Sequence, residues 1–252
     1  MDQEKYLNRI NYSHELEPSL STLRKLQKAH LLTVPFENLD IHYDTLITLD
    51  VDKIFNKIVL NNRGGFCYEM NGLFYELLKS LGFDAKIISA RVYDKEKGYG
   101  QEFDHLAIIV NFGDSQYLTD VGFGEFAFFP LEINLNKIQE DQRGSFVIDK
   151  FDESYFRVNK IVNGELIPEY IFTNLGRKFV DYHEMCNYHQ TNARSHFKKK
   201  KLISIPTEDG RITISGNTLK IKDKVSTKEV ILEDEAAFKN SLLNYFKVEI
   251  RS

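Results

Sequence analysis

The sequence has few of the residues that build disulfide frameworks and structural metal sites. It contains no tryptophan and only two cysteines, Cys67 and Cys186. These two residues are far apart in the chain, and neither belongs to a CxxC pair or to a Cys/His cluster with the spacing of zinc ligands. A disulfide framework and a structural zinc site are therefore not expected, and we predict no metal cofactor.

Long apolar runs and an excess of basic residues are also absent. No window approaches the roughly 18 consecutive apolar residues of a transmembrane helix, and residues 1–5 do not have the pattern of a signal peptide. The formal net charge is −4, so the charge balance does not indicate a nucleic-acid partner. These features predict a cytoplasmic globular protein without nucleic-acid or membrane partners.

The first third of the chain has the apolar spacing of helices. The pattern predicts a short opening helix near residues 6–10 and a second helix that begins at Pro18-Ser19 and ends before Pro35. Residues 35–42 are predicted to form an irregular connection. A third helix is capped by Asp50 and extends to Val59. Residues 1–84 are therefore predicted to form a helical domain.

After residue 84 the apolar pattern changes to the period of strands. Strands are predicted over residues 85–93, 105–112, 116–121, 145–148 and 155–162, with a polar loop over residues 94–104. Asn163-Gly164 has the composition of a hairpin turn. Short strands joined by turns are typical of a small barrel or a strongly curved sheet. Residues 85–185 are therefore predicted to form a β-barrel domain.

Three more strands and a closing helix are predicted after Cys186. The strands cover residues 202–205, 211–215 and 218–222, and the helix covers residues 234–247. Residues 186–252 are therefore predicted to form a small α/β domain. The predicted fold class is α+β.

A glycine turn, Arg63-Gly64-Gly65, precedes Cys67 and a helix with a buried apolar stripe that ends at Gly82. Cys67 is then at the first helical residues, where free backbone N–H groups and the helix dipole favour a thiolate. We interpret Gly64 and Gly65 as leaving the approach to the sulfur open. Cys67 is either a nucleophile or a small residue that fills a gap between helix and sheet.

A cysteine nucleophile needs a base and a group that orients the base. If Gly113-Asp114 is a two-residue hairpin loop, Asp120 pairs with Ala107, and His105 and Asp120 lie diagonally on one face. A shift of one residue would place them on opposite faces. His105 and Asp120, each taken alone, fit an ordinary strand end. Cys67, His105 and Asp120 together supply the nucleophile, the base and the orienting group of one mechanism.

Two further stretches are candidates for ligand binding. In Gly122-Phe123-Gly124, directly after Asp120, the glycines allow close approach of a ligand and the phenyl ring can form a pocket wall. The basic run Lys198–Lys201 is either a solvated face or a surface that attracts a phosphorylated cofactor such as coenzyme A.

Four ordered motifs together resemble those of the arylamine N-acetyltransferase family. They are Val34-Pro35-Phe36-Glu37-Asn38-Leu39, Arg63-Gly64-Gly65-Phe66-Cys67-Tyr68-Glu69 with Asn71, Asp104-His105-Leu106, and Thr119-Asp120-Val121-Gly122-Phe123-Gly124. Weaker similarity continues over residues 190–202. The resemblance implies a helical first domain, a β-barrel second domain and a small α/β third domain that acts as a lid, arranged as in cysteine proteases.

The resemblance also implies an activity and its residues. Cys67 would be the acyl acceptor, His105 its base and Asp120 the orienting group. The implied ping-pong reaction moves an acetyl group from acetyl-CoA to an arylamine, an arylhydrazine or an N-hydroxyarylamine, as in xenobiotic metabolism. Phe36 and Phe123 match phenylalanines that line the family's substrate pocket. The implied cofactor contacts are Gln101, Glu102, Gly124 and Thr218.

Other functions are compatible with the same residues. An amide synthase, or a transglutaminase-like acyltransferase or hydrolase, would use the same triad with a different acceptor. A degenerate binding protein would keep the pocket without a reactive cysteine.

Overall fold

The chain forms helices first, then a large curved sheet, and then a smaller sheet with further helices. The structure, a computed structural model, describes residues 1–250. The helices are α1 Gln3–Arg9, α2 Leu20–Thr33, α3 Leu39–His42, α4 Val51–Phe55, α5 Cys67–Ser80, α6 His183–Thr191, α7 His196–Lys199 and α8 Glu235–Ser241. Single π-helical turns, Asn56–Leu60 and Leu242–Phe246, extend α4 and α8, and a 3-10 turn, Phe179–Tyr182, precedes α6.

The strands of the large sheet all lie between residues 84 and 177. They are β2 Asp84–Asp94, β3 Gly98–Tyr99, β4 His105–Phe112, β5 Ser115–Thr119, β6 Leu131–Glu132, β7 Ile138–Asp141, β8 Gly144–Lys150, β9 Phe156–Val162 and β10 Glu165–Arg177. The strands of the smaller sheet are β1 Phe36–Glu37, β11 Leu202–Thr207, β12 Gly210–Ser215, β13 Thr218–Lys222 and β14 Thr227–Ile231.

The predicted helices of the first third are confirmed, and capping side chains explain where they begin. Asp2, Ser19 and Asp50 each accept a hydrogen bond from the backbone N–H three residues later. Helix α5 begins at Cys67, where the Glu69 carboxylate accepts the N–H of Phe66 at 3.1 Å. Its predicted apolar stripe is buried in the core between the helices and the large sheet.

The prediction of an irregular connection over residues 35–42 was wrong. Phe36 and Glu37 pair with Ser204 and Ile203 of β11, and helix α3 follows at once. A two-residue strand has no alternating pattern of its own, and its partner is far along the chain. The periodicity of apolar residues therefore does not indicate β1.

The large sheet is antiparallel and forms a nearly closed barrel. Its strand order is β6-β5-β4-β2-β10-β9-β8-β7, with β3 beside β2. The side chain of Gln139 on β7 joins the two end strands, since it accepts the N–H of Glu132 at 2.8 Å and donates to the carbonyl of Glu132 at 2.9 Å. The interior is apolar and includes Phe126, Phe146 and Phe172.

The hairpin between β4 and β5 has the predicted register. Phe112 pairs with Ser115 across the Gly113-Asp114 loop, and Ile108 pairs with Thr119. The other predicted strands of this region are also present, and the Asn163-Gly164 turn joins β9 to β10. The longest strand, β10, was not predicted, because register shifts near Pro168 and again after Phe172 interrupt its alternation.

The smaller sheet has the order β1-β11-β12-β13-β14 and packs against α8. Its three predicted strands and the closing helix are confirmed, whereas the exposed edge strand β14 was not predicted. Because β1 belongs to this sheet, residues from the first fifth of the chain complete it. The division into domains at residues 84 and 185 stays a prediction. No helix among residues 1–250 is long and apolar enough to cross a membrane.

Gly64 and Gly65 have a different role from the predicted one. A Cβ atom on Gly64 would lie 1.9 Å from the carbonyl oxygen of Pro35, and one on Gly65 would lie 2.8 Å from Cβ of Glu69. The backbone N–H of Glu37 donates to the carbonyl of Gly65 at 2.9 Å. The glycines therefore let the turn pack against β1 and the first turn of α5, rather than opening a path to the sulfur.

We expect Gly64→Ala to lower the free energy of unfolding by about 1–3 kcal/mol, because the added methyl group has to displace backbone atoms. Urea unfolding followed by circular dichroism measures the change. Gly124→Ala is the matched control, since a Cβ atom there meets no atom within 4 Å, and its change should stay within about 1 kcal/mol. Equal stability of the two variants would contradict the packing role of Gly64.

Candidate active site

Cys67 is the first residue of α5 and borders a cavity of about 350 Å³. The loop that follows Asp120 packs directly against it. A Cβ atom on Gly122 would lie 2.8 Å from Cα of Cys67, so only glycine permits this contact. The start of the helix and the end of the hairpin are thus held together at the cysteine.

His105 and Asp120 are in direct contact, as the hairpin register predicts. Nε2 of His105 is 2.6 Å from Oδ2 of Asp120, and both side chains are buried. Because Nε2 faces the carboxylate, Nδ1 is the ring nitrogen that is available to exchange a proton with Cys67. His105 and Cys67 line the same cavity. The structure therefore brings together the three residues that the sequence singles out.

The Asp120 carboxylate receives four hydrogen bonds besides the one from His105. Oδ1 accepts from Nδ2 of Asn71 at 2.8 Å and from the backbone N–H groups of Gly122 at 2.8 Å and Phe123 at 2.9 Å. Oδ2 accepts from the Tyr170 hydroxyl at 3.2 Å. Asn71 lies one turn after the cysteine on α5, so the helix that carries Cys67 also fixes the carboxylate. Sequence reasoning gave Asn71 and Tyr170 no role.

The pKa of His105 is shifted strongly upward. Burial alone would lower it, but the charge and the hydrogen bond of Asp120, together with the Cys67 side chain, raise the pKa from 6.5 to about 10. Asp120 therefore favours the charged form of the imidazole.

Buried ion pairs lie beneath the turn that precedes Cys67. Arg63 contacts Glu37 at 2.8 Å and Asp40 at 2.6 Å, and Lys57 contacts Asp40 and Glu69, both at 2.8 Å. Because these residues belong to β1, α3, the π-helical turn after α4, the glycine turn and α5, the ion pairs tie the start of α5 to the segments around it. Removing one partner would leave a buried charge uncompensated.

Aromatic rings form much of the cavity wall. Phe36 and Phe123, the two predicted pocket residues, both line it. The Phe123 ring is 5.6 Å from the His105 ring, and the Phe36 ring is 6.0 Å from that of Phe197. Phe197 belongs to the weakly similar stretch of the sequence, which gave no reason to place it in the site.

Two of the four residues predicted to contact the cofactor lie at cavities. Gly124 lines the cavity beside Cys67. Gln101 lines an adjoining cavity of about 290 Å³. The residues shared by the two cavities are Val92, Asp104, His189 and His196.

The other two are placed differently. The Glu102 carboxylate accepts the hydroxyl hydrogen bond of Tyr155 at 2.7 Å and lies 3.3 Å from Arg177. Thr218 begins β13, pairs with Ser215 and lines neither cavity. The structure does not bring these two residues to the cysteine.

The four lysines of the basic run Lys198–Lys201 do not form one exposed patch. The first three lysines are exposed. Nζ of Lys201 instead contacts Glu235 at 2.8 Å and lies 4.6 Å from the centre of the Phe238 ring. Lys201 therefore helps to hold α8 against the sheet.

A second histidine and carboxylate meet where the two cavities join. Nε2 of His189 is 3.4 Å from Oδ1 of Asp104, and the imidazole is buried near the rings of Tyr68 and Phe197. Sequence reasoning found no carboxylate for His189 because the apolar pattern did not indicate α6. The position of Asp104 directly before His105 was the one available signal.

A buried cysteine at a helix start, beside an imidazole that a carboxylate holds, is the arrangement that a cysteine nucleophile requires. Within residues 1–250, no group of three or more His, Cys, Asp or Glu side chains is arranged to hold a metal ion. The sequence model of the N-acetyltransferase family matches residues 19–252. The chain belongs to the arylamine N-acetyltransferase family, as the four motifs predict.

Relatives match along nearly the whole chain. The arylamine N-acetyltransferase of Mycolicibacterium smegmatis is 29% identical over 256 residues, which cover 99% of this chain and 93% of the relative. Human arylamine N-acetyltransferase 1 is 30% identical over 276 residues, covering 100% and 95%. The structure of the Mycobacterium marinum arylamine N-acetyltransferase in complex with CoA superposes with a TM-score of 0.89 at 30% identity, covering 98% and 93%. These similarities confirm the mixed helix and barrel fold.

The raised pKa of His105 predicts a pH dependence of stability. The prediction applies to the Cys67→Ala variant, because in the wild-type protein the proton gained by the imidazole is offset by the one that the thiol gives up. Asp120 still raises the pKa of His105 in this variant, so above pH 6.5 the native imidazole keeps a proton that the unfolded one has lost. The free energy of unfolding should therefore fall as pH rises from 6.5 through the raised pKa, by up to about 1.4 kcal/mol per pH unit. Urea unfolding of Cys67→Ala at several pH values measures the slope, and adding His105→Gln should reduce it. Identical slopes in the two proteins would contradict the assignment.

Proposed function

We propose that the protein is an acetyl-CoA-dependent arylamine N-acetyltransferase that works through an acetylated Cys67. The observation that carries this proposal is the meeting of Cys67 and His105 at one cavity lined by Phe36 and Phe123, with Asp120 in contact with His105. The CoA complex of the Mycobacterium marinum relative supports a CoA thioester as the acyl donor.

In the first half-reaction the Cys67 sulfur, having given its proton to His105, attacks the thioester carbonyl of acetyl-CoA. A bond forms between this carbon and the Cys67 sulfur, the bond to the CoA sulfur breaks, and His105 returns a proton to the leaving thiolate. Free backbone N–H groups at the start of α5 stabilise the oxyanion. Asp120 keeps Nε2 engaged, so that Nδ1 carries the transferred proton.

In the second half-reaction the nitrogen of the acceptor attacks the carbonyl of acetyl-Cys67. The new C–N bond forms, the C–S bond breaks, and the proton lost by the nitrogen passes through His105 to the sulfur of Cys67. Arylamines are weak bases and attack without prior deprotonation. Flat acceptors, including arylhydrazines and N-hydroxyarylamines, suit the walls formed by Phe36 and Phe123. Donor and acceptor use one cavity in turn, as a ping-pong cycle requires.

The adjoining cavity is the proposed place for the arm of CoA. It meets the catalytic cavity at Asp104 and His189, and its lining includes Gln101, Lys97 and Arg194. Cationic side chains suit the phosphates of the donor.

Several further predictions are kept as proposals. They are cofactor contacts by Glu102 and Thr218, a lid role for the last third of the chain, a cysteine-protease-like arrangement, and a cytoplasmic location with a role in xenobiotic metabolism. Two buried free thiols and no disulfide suit a reducing compartment.

Mixing the protein with acetyl-CoA in the absence of an acceptor should add the mass of one acetyl group, because the thioester then has no nucleophile to discharge it. Intact-mass spectrometry measures the adduct. Cys67→Ala should fold and show no adduct. Cys186→Ala is the matched control and should keep it, because burial raises the pKa of the Cys186 thiol to about 12. A folded protein without an adduct, or an adduct that persists in Cys67→Ala, would contradict the mechanism.

Asp120→Asn should slow the acetylation of Cys67 by about 10⁴-fold, as loss of the carboxylate does in other triads. The amide can present an N–H group where the carboxylate accepts the imidazole N–H, and it carries no negative charge to stabilise the imidazolium. Quenched-flow measurement of acetyl-enzyme formation gives the rate. Tyr170→Phe removes only one of the hydrogen bonds to the carboxylate and should slow the step by about tenfold or less. A rate for Asp120→Asn within tenfold of the wild-type rate would reject the role of Asp120.

A further inference from the structure

A second large cavity lies at the ion pairs beneath the turn that precedes Cys67. Its volume is about 550 Å³, against about 350 Å³ for the cavity beside Cys67, and the two cavities share no lining residue. Its walls come from residues 45–48, from α4 and the π-helical turn that follows it, and from Lys247 and Glu249 after the second π-helical turn. The proposed function gives this cavity no part.

Buried charged groups form the inner lining of the second cavity. Lys57, Arg63, Asp40 and Glu69 all line it, and they belong to the ion pairs that tie the start of α5 to the segments around it. Oε2 of Glu69 also accepts the N–H of Phe66, the residue directly before α5, at 3.1 Å. A molecule bound in this cavity would therefore touch the groups that fix the start of that helix.

The wall of the second cavity departs from regular helix at two points. One π-helical turn, Asn56–Leu60, lies in the wall, and the other, Leu242–Phe246, ends directly before Lys247. Single π-helical turns are frequent at functional sites. Lys247 has a φ of 58°, in the left-handed region that lysine rarely adopts. Its carbonyl accepts a hydrogen bond from Nδ2 of Asn62 at 2.9 Å, which joins the two parts of the wall.

The charges at the exposed part of the cavity do not cancel. Within residues 1–250, the exposed side chains of Lys53 and Lys247 form no ion pair, and neither does Glu249, the remaining lining carboxylate. Three further carboxylates are close in the chain but neither line the cavity nor pair with either lysine: Asp44, Asp50 and Asp52. Two ammonium groups are therefore set against one carboxylate, so a monoanion would be stabilised.

Apolar side chains form the rest of the cavity entrance. Leu46 is 70% exposed and Leu60 is 52% exposed, and both line the cavity. Ile47 and Ile54, which are buried, continue this apolar lining. Covering the exposed leucines with an apolar group would be favourable, because it removes their surface from water.

We propose that the second cavity is a binding site for a small molecule that has an apolar body and one carboxylate or similar anionic group. The apolar body would lie against Leu46 and Leu60, and the ammonium groups of Lys53 and Lys247 would hold the anion through charge-assisted hydrogen bonds. The inference goes beyond the proposed transferase function and does not depend on it, since this cavity is separate from the one beside Cys67.

The test uses octanoate and its neutral counterpart octanamide as probes, with isothermal titration calorimetry of the wild-type protein as the measurement. Octanoate should bind at a single site. Octanamide should bind about three- to tenfold more weakly, because it forms no charge pair with the lysines. Hexanoate should also bind more weakly than octanoate, by up to about fourfold for each methylene group removed.

Variants at exposed positions separate the two parts of the site. Lys53→Gln combined with Lys247→Gln should lower the affinity for octanoate to about that for octanamide and leave the affinity for octanamide within about twofold. Leu46→Ser should weaken the binding of both probes by about three- to tenfold. Lys222→Gln removes an exposed lysine on β13 that lines neither cavity, and as the matched control it should change neither affinity.

The cavity beside Cys67 contains a cation of its own, Arg211 on β12, so binding of octanoate there has to be distinguished. Saturating CoA should leave the affinity for octanoate unchanged. Displacement of octanoate by CoA would assign it to the cavity beside Cys67 and overturn the proposal. So would an absence of saturable octanoate binding, equal affinities for octanoate and octanamide, or an unchanged octanoate affinity in the double lysine variant. None of these readouts requires acetylation of Cys67, so a failure of the proposed function would be seen separately.

Discussion

The hydrogen bonds of Asn71 join the helix that begins at Cys67 to the hairpin that carries His105 and Asp120. Its Nδ2 donates to Asp120 at 2.8 Å and to the carbonyl of Leu106 at 2.6 Å, and its Oδ1 accepts the N–H of Val121 at 2.9 Å. Every polar atom of this buried amide is therefore satisfied. Without it the carbonyl of Leu106 and the N–H of Val121 would lose these hydrogen bonds in a buried environment, each at a cost of about 1–3 kcal/mol, and the carboxylate would lose one of its several partners.

This connection explains why the position of Cys67 is so closely determined. On one side, Gly122 brings the loop after the hairpin into contact with the cysteine. On the other, the ion pairs of Arg63 and Lys57 fix the turn and the first residues of α5. The helix start cannot move without disturbing either a close backbone contact or a buried charge. A rigid site of this kind positions the sulfur before any substrate binds.

The parts of the site that sequence reasoning found depend on local rules. The two-residue Gly113-Asp114 loop determines which residues pair, and the pairing puts His105 and Asp120 on one face. The helical period likewise indicates α5 from its apolar stripe. In both cases the decisive residues are close together in the chain, so propensity and spacing are sufficient to place them.

The parts that were missed depend on contacts between distant segments. β1 exists because residues near 203 pair with it, and β10 has bulges that break its alternation. Arg211 and His189 reach the cavity only through the packing of the last third of the chain. Gly64 was given the wrong role because its restriction comes from the carbonyl of Pro35 across the turn. Single-sequence patterns contain no signal for such contacts.

The pairing of β1 with β11 has a consequence for how the site comes into being. Phe36 obtains its strand partner, Ser204, only after four-fifths of the chain has been synthesised, and β11 and β12 supply the wall that contains Arg211. Contacts of such long sequence separation form late in folding. A nascent chain on the ribosome thus holds Cys67, His105 and Asp120 well before it holds a finished pocket. The cavity beside Cys67 is therefore complete only when synthesis is almost finished.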